Sequence, residues 1–123
     1  MSTLNVSAQL NLFRPIEAVE AGDPATYAER FDRANPHVME LLARLTRRAK
    51  ARTNGTHIGF RMIWETARWM YVRSTRDDSG YKLNNNLQAW YARELMQRYN
   101  DLKDVFHTRE RAKGRSHVVD HAA

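Results

Sequence analysis

Cysteine is absent from this 123-residue sequence, so disulfide bonds, thiol catalysis and cysteine-ligated zinc are excluded. No apolar run approaches the about 20 residues that a membrane-spanning helix needs. The first fifteen residues lack the charged start and apolar stretch of a secretory signal. Neither a glycine-rich phosphate loop nor a nucleophile motif is present. We therefore expect a cytoplasmic protein that binds no cofactor or metal, contacts no membrane and is not an enzyme.

Lysine is scarce among the basic residues, since sixteen of the twenty are arginine. Residues 1–40 hold three basic and six acidic residues, whereas residues 41–123 hold seventeen basic and eight acidic ones. Arginine offers a planar fork of donors that fits phosphate oxygens and base edges. The charge pattern therefore predicts nucleic acid, the commonest polyanion of the cytosol, as the partner. An arginine-rich surface without a special partner and an acidic protein surface stay open as alternatives.

Two positions combine a helix N-cap with a proline at the first helical position: Asp23-Pro24 and Asn35-Pro36. The first pair predicts a helix over 24–35. The second predicts a helix over 36–51, in which apolar residues recur at the spacing of one buried stripe. Hydrophobic residues make up 42% of the chain, enough for one domain with its own core.

Two further helices are predicted by apolar residues at helical spacing, one over 57–73 and one over 87–99 with Asn86 as its N-cap. The stretch between them is rich in aspartate, serine and glycine, which favour turns. We expect a short β-hairpin around this turn, in which residues 71–73 pair with residues 81–83.

The fold class predicted from these elements is mainly α, a small helical domain with a helix-turn-helix or winged-helix-like centre and a short β-hairpin. The helices over 36–51 and 57–73 form the helix-turn-helix, and the hairpin lies where a wing would be. We divide the chain into an N-terminal extension (1–22), a helical domain (23–106) and a basic, flexible tail (107–123). A homodimer is compatible with this fold, although no dimer seam is recognisable in the sequence.

The second helix of a helix-turn-helix enters the major groove, so its polar face is the candidate base reader. On the helix over 57–73 this face carries Arg61, Glu65 and Arg68. Cations on the preceding helix, beside the wing and in the tail are predicted to hold phosphates. The candidate nucleic-acid-binding residues are Arg44, Arg47, Arg48, Arg52, Arg61, Glu65, Arg68, Arg73, Arg76, Lys82, Arg109, Arg111, Lys113 and Arg115.

Aromatic residues suggest a second kind of contact, the stacking of unpaired bases. Trp64 and Trp90 lie on apolar stripes, so we expect them in the core. Trp69 lies off the stripe and Tyr81 lies in a turn, which makes these two the candidates for contact.

A metal-dependent nuclease is a third reading of the same region, with Asp77, Asp78 and Glu65 as ligands beside Lys82. A metal site needs ligands that converge from rigid elements. Adjacent aspartates followed by serine and glycine are first of all a turn, so we do not expect catalysis.

The stretch Gly59–Trp69 (GFRMIWETARW), followed by Tyr81–Asn86 (YKLNNN), Tyr91–Arg93 and Val105–Arg109, resembles a family of small bacteriophage and prophage proteins of uncharacterised activity. The resemblance covers residues 28–110 and implies a phage setting inside a bacterial host. Two functions fit that setting. One is a protein that binds nucleic acid, mainly duplex DNA, by arginine–phosphate contacts. The other is an anti-defence inhibitor, similar to an anti-CRISPR protein, that binds a host nucleic-acid-handling complex.

Overall fold

The computed structural model describes residues 12–53, 58–75 and 77–106. Within these ranges the chain is mainly helical, as predicted, with no β-sheet and a single β-bridge between Ile58 and Phe106. The α-helices that lie wholly in the described ranges are α1 (Pro24–Ala34), α2 (Pro36–Thr53), α3 (Phe60–Thr75) and α4 (Gln88–Arg98). The same ranges contain three short 3₁₀ helices, at Ser79–Lys82, Asn85–Leu87 and Asn100–Leu102.

The junction between α1 and α2 is built around Asn35. Its backbone N–H donates to the Phe31 carbonyl at 2.9 Å and ends α1. Its buried side-chain amide exchanges hydrogen bonds with the backbone of Glu17, at 2.8 and 2.9 Å. Asn35 stands at the predicted N-cap position of α2, where its carbonyl accepts from the Val38 N–H at 3.0 Å. Its side chain does not cap the helix, because the amide is committed to a segment 18 residues earlier. The predicted cap of α1 is confirmed, since an Asp23 carboxylate oxygen accepts from the Ala25 N–H at 3.0 Å.

Residues 12–22, which the sequence assigns to an extension, pack on the helices. Leu12 and Ile16 are buried in the same core as the helical residues. The Ile16 N–H donates to the buried Ser79 hydroxyl at 2.9 Å. Arg14 Nε donates to Nδ1 of the buried His37 at 3.0 Å, so the neutral ring carries its proton on Nε2. The described part of the predicted extension is thus tied to the domain at several points.

The start of α4 differs from the predicted cap at Asn86. The Asn84 side chain accepts from the Asn86 N–H at 2.9 Å and begins the 3₁₀ helix Asn85–Leu87, which leads directly into α4. The last residue of that 3₁₀ helix, Leu87, precedes α4 without a side-chain cap. The capping asparagine is therefore Asn84, two residues before the predicted one.

Aromatic side chains dominate the core between the helices. Trp64 of α3 and Tyr91 of α4 are fully buried, with ring centroids 5.6 Å apart. Phe60 meets Phe106 edge-on at 4.8 Å, which joins α3 to the last described residue. Trp90 is half-buried and lies edge-on to Tyr91 at 5.0 Å. The predicted core position of Trp64 is confirmed.

The predicted β-hairpin does not form. Residues 71–73 belong to α3, and Tyr71 is fully buried because it continues the apolar stripe of that helix. The 3₁₀ helix Ser79–Lys82 folds back onto α3 instead of pairing with a strand. A Cβ on Gly80 would lie 2.3 Å from Val72 Cγ2 and 2.6 Å from the Arg68 carbonyl oxygen. This contact against a helix surface takes the place of strand pairing.

The helix-turn-helix geometry is not confirmed. Residues 54–59 connect α2 to α3, whereas a helix-turn-helix uses a turn of about 3–4 residues. Towards the far ends of both helices, the Tyr71 hydroxyl donates to the His37 carbonyl at 3.4 Å, and the two rings lie 5.9 Å apart. A contact so far from the connection is typical of antiparallel helices packed side by side.

The close approach of Gly80 to α3 predicts that G80A is destabilising. The added methyl must displace Val72 or helix backbone, so the free energy of unfolding falls by about 1–3 kcal/mol in denaturant titrations. G59A is the matched control, because a Cβ there meets no atom of the described residues within 4 Å. It leaves stability unchanged or raises it by up to about 1 kcal/mol. Equal losses in both variants would contradict the packing.

Burial of His37, together with the charge of Arg14, lowers its pKa to about 4. The pKa of histidine in the unfolded chain is about 6.5. Between these values the unfolded state binds more protons, so the free energy of unfolding falls as pH drops from about 6.5 towards 4, by at most about 1.4 kcal/mol per pH unit. We expect H37Q to flatten this dependence in denaturation series across that range. Identical slopes for both proteins would show that His37 does not titrate in this way.

Candidate nucleic-acid interface

Three arginines form an exposed line along α2, here called the arginine ridge (Arg44, Arg48 and Arg52). They recur every four residues, so the helix places them on successive turns with a rise of about 6 Å between neighbours. All three are exposed, and none has a hydrogen-bond or carboxylate partner among the described residues. The opposite side of α2 buries Val38 and Leu42 in the core. The amphipathic pattern that buries these residues turns the ridge towards solvent.

Arg47 lies on the same helix but is engaged with the chain itself. Its Nε and Nη2 donate to the two carboxylate oxygens of Asp101 at 2.7 and 3.1 Å, and its guanidinium lies 4.9 Å from the centroid of the Tyr99 ring. Lys50 adds a hydrogen bond to the Asp101 carbonyl. The hydrogen bonds from Arg47 hold the pKa of the Asp101 carboxyl below its usual range. A phosphate at Arg47 would have to replace this pair.

Two of the three predicted base readers on α3 bind each other. Arg68 Nη1 donates to the Glu65 carboxylate at 3.0 and 3.3 Å, and Arg68 Nε donates to the Gly80 carbonyl at 3.4 Å. Arg61 is exposed at the start of the helix and Arg73 is exposed near its end, both without a partner among the described residues. The cations that α3 leaves free are therefore Arg61 and Arg73, about 18 Å apart along the axis.

The turn after α3 uses its charges internally. Lys82 Nζ lies 3.3 Å from Asp78 Oδ1. Asp77 accepts from the Ser79 N–H at 2.8 Å and from the Thr75 hydroxyl at 2.7 Å. Hydrogen bonding by the Ser79 side chain, the Thr75 hydroxyl and the Ser79 N–H lowers the pKa of Asp77 to about 2. In the ranges that the structure covers, no group of three or more histidine, aspartate or glutamate side chains is arranged to hold a metal. The aspartates act as turn residues here.

The remaining candidates lie outside the described residues. This holds for Arg76, which follows α3, and for the tail residues Arg109, Arg111, Lys113 and Arg115. Their predicted contacts with phosphate, and the predicted flexibility of the tail, stay predictions.

Trp69 and Tyr81 are exposed, by 60% and 69% respectively. They border one shallow depression of 180 Å³, together with Arg68 and Gly80. Neither ring packs against another aromatic ring in the described part of the chain. The prediction that these two rings, unlike Trp64, lie outside the core is confirmed.

A second depression, of 570 Å³, lies between α1 and α4 and was not predicted from the sequence. It is lined by charges of both signs, among them Asp32 and Arg98, which pair at 3.3 Å. Arg98 also approaches Glu94 at 3.7 Å. Single-sequence periodicity does not show which helices are neighbours, so no local signal identifies this groove. Its lining holds three acidic and three basic residues, whose charges balance, so it is a weaker candidate for a polyanion than the ridge.

Comparisons with protein-family models, with curated proteins and with solved structures find no match to this chain. The resemblance to bacteriophage and prophage proteins therefore stays a prediction. None of the helices in the described ranges has the length and apolar character needed to cross a bilayer.

Proposed function

We propose that the protein binds nucleic acid, mainly duplex DNA, through arginine–phosphate contacts centred on the arginine ridge. One observation carries the proposal, the division of the cations into two sets. Arg47, Arg68 and Lys82 hold groups of the chain itself. The ridge faces solvent without a partner among the described residues. A bacteriophage origin and a bacterial cytoplasm belong to the same proposal.

Affinity at such a ridge comes from counterion release. Each phosphate that the protein neutralises adds about 0.9 to the slope of log K against log salt concentration on duplex DNA. The α2 backbone is anchored by its buried face, so the three guanidinium groups start from fixed positions on one helix. Phosphate contacts position a protein on DNA but read no sequence. The proposal is therefore one of salt-sensitive binding with little sequence preference.

A more specific version of this proposal adds sequence recognition, in which α3 enters the major groove and contacts base edges as in a helix-turn-helix. The Glu65–Arg68 pair would have to open before either side chain met a base edge. Arg61 is the predicted reader that needs no such rearrangement. We therefore assign the main affinity to the ridge and not to α3.

A protein partner is the second candidate function, in the form of an anti-defence inhibitor of a host nucleic-acid-handling complex. The observation that favours it is the exposure of Met62 and Trp69 on one side of α3, since exposed apolar side chains are typical of protein interfaces. Capture from bacterial lysate separates the two functions. Loss of every partner after nuclease digestion would contradict this second candidate.

The ridge predicts that R44A/R48A/R52A weakens duplex binding by roughly tenfold to 100-fold at low salt, measured by fluorescence anisotropy on a random-sequence duplex. The control is R33A/R93A/K103A, which removes three exposed cations elsewhere. Both triple variants lower the formal net charge from +6 to +3, so they remove the same charge from different positions. The control variant is expected to lose less than about threefold. Equal losses would show a response to net charge alone and would contradict the ridge as the binding site.

A further inference from the structure

The depression beside α3, here called the aromatic cleft, is bordered by Trp69 and Tyr81. Trp69 comes from α3, and Tyr81 comes from the 3₁₀ helix Ser79–Lys82. Among the described residues, these two and Met62 are the large apolar side chains that stand well exposed. Both rings are mostly exposed and neither packs on another ring of the described residues, so each leaves ring surface open to a flat ligand.

Both rings stand on rigid supports. The fully buried Tyr71 anchors α3 just beyond Trp69. Two contacts hold the turn that carries Tyr81. Gly80 packs closely against Val72 of α3, and the Ile16 N–H donates a hydrogen bond to the Ser79 hydroxyl. A ligand in the cleft would therefore order few additional degrees of freedom, which lowers the entropic cost of binding.

Free cations flank the cleft along α3. Arg61, Trp69 and Arg73 lie on one exposed side of the helix, since they are separated by eight and four residues. Between them, the charge of Glu65 is balanced by Arg68 at 3.0 Å. The face thus presents an aromatic surface between two guanidinium groups that have no partner in the described part of the chain, a combination typical of proteins that bind single-stranded nucleic acid.

We propose that the aromatic cleft stacks an unpaired nucleobase of a single-stranded segment, while Arg61 and Arg73 hold phosphates farther along the strand on either side of that base. This inference rests on the proposed nucleic-acid function and adds a second way of binding, in which the ligand is single-stranded. Duplex binding at the ridge needs no unpaired base, whereas the cleft needs one. Every base has a π-face, so the cleft tolerates any sequence.

The charge of this face favours a nucleic acid over a second copy of the chain as its occupant. A two-fold contact through this face would bring the same patch of both copies together. It would place Arg61 and Arg73 of one protomer against the same residues of the other, and like charges repel. A single-stranded nucleic acid carries both phosphates and flat bases, so it complements both the arginines and the aromatic rings of the face.

The test compares binding of a single-stranded oligothymidylate and a random-sequence duplex at the same low salt. We expect the wild type to bind both. W69A and Y81A weaken single-strand binding by roughly fivefold to 150-fold and change duplex affinity by less than about twofold. M62A removes an exposed apolar side chain of α3 that does not line the cleft, so it changes neither affinity. Unchanged duplex affinity in W69A also shows that the variant is folded.

Tryptophan emission gives a second readout. Trp64 is buried and Trp90 is half-buried, so a base stacked in the cleft quenches mainly Trp69. W69F keeps an aromatic face, and we expect it to retain single-strand affinity within about fivefold. The quench that accompanies binding of the wild type should disappear in W69F.

The outcomes separate the two proposals. If W69A and Y81A lose no single-strand affinity, or lose duplex affinity to the same extent, the cleft is not a base-stacking site. The proposed function still stands in that case if the ridge variant weakens duplex binding. If the molecular mass of the wild type rises with protein concentration and W69A abolishes this rise, the face serves self-association. That result would also contradict base stacking in the cleft. If the wild type binds neither nucleic acid at low salt, the proposed function fails and the cleft fails with it.

Discussion

A guanidinium group that already holds a carboxylate is not free to hold a phosphate, and this competition divides the arginines of the protein. Arg47 is committed to Asp101, and Arg68 is committed to Glu65. The arginine ridge has no such commitment among the described residues. Its side chains can exchange water for a polyanion without breaking a contact that supports the fold. The proposed function depends on this division more than on the total charge.

The helices were predictable because their signals are local. Periodicity gave the helical class, and the cap at Asp23 was recognisable from the proline that follows it. The errors concern residues whose partners are distant in the chain. The Asn35 amide binds Glu17 instead of capping α2, and Gly80 packs on α3 instead of turning a hairpin. In both places a tertiary contact overrides a local preference that the sequence expresses clearly.

The candidate interface was likewise predictable where the signal is local and not where it depends on distant contacts. Helical spacing is enough to place the arginine ridge and Trp69 outside the core. The Glu65–Arg68 pair is also visible in the sequence, because residues three apart are neighbours on a helix. Asp101 lies 54 residues from Arg47, so no local pattern shows that this arginine is engaged. The shared depression of Trp69 and Tyr81 depends likewise on how the turn folds back onto α3.

The salt dependence of duplex binding tests the central claim most directly. Log K is measured against log salt concentration for the wild type and for R44A/R48A/R52A on the same duplex. If the ridge neutralises three phosphates, the slope of the variant is shallower by about 2.7, which is three times the contribution of one phosphate. Equal slopes would contradict the account, because the three guanidinium groups would then displace no counterions.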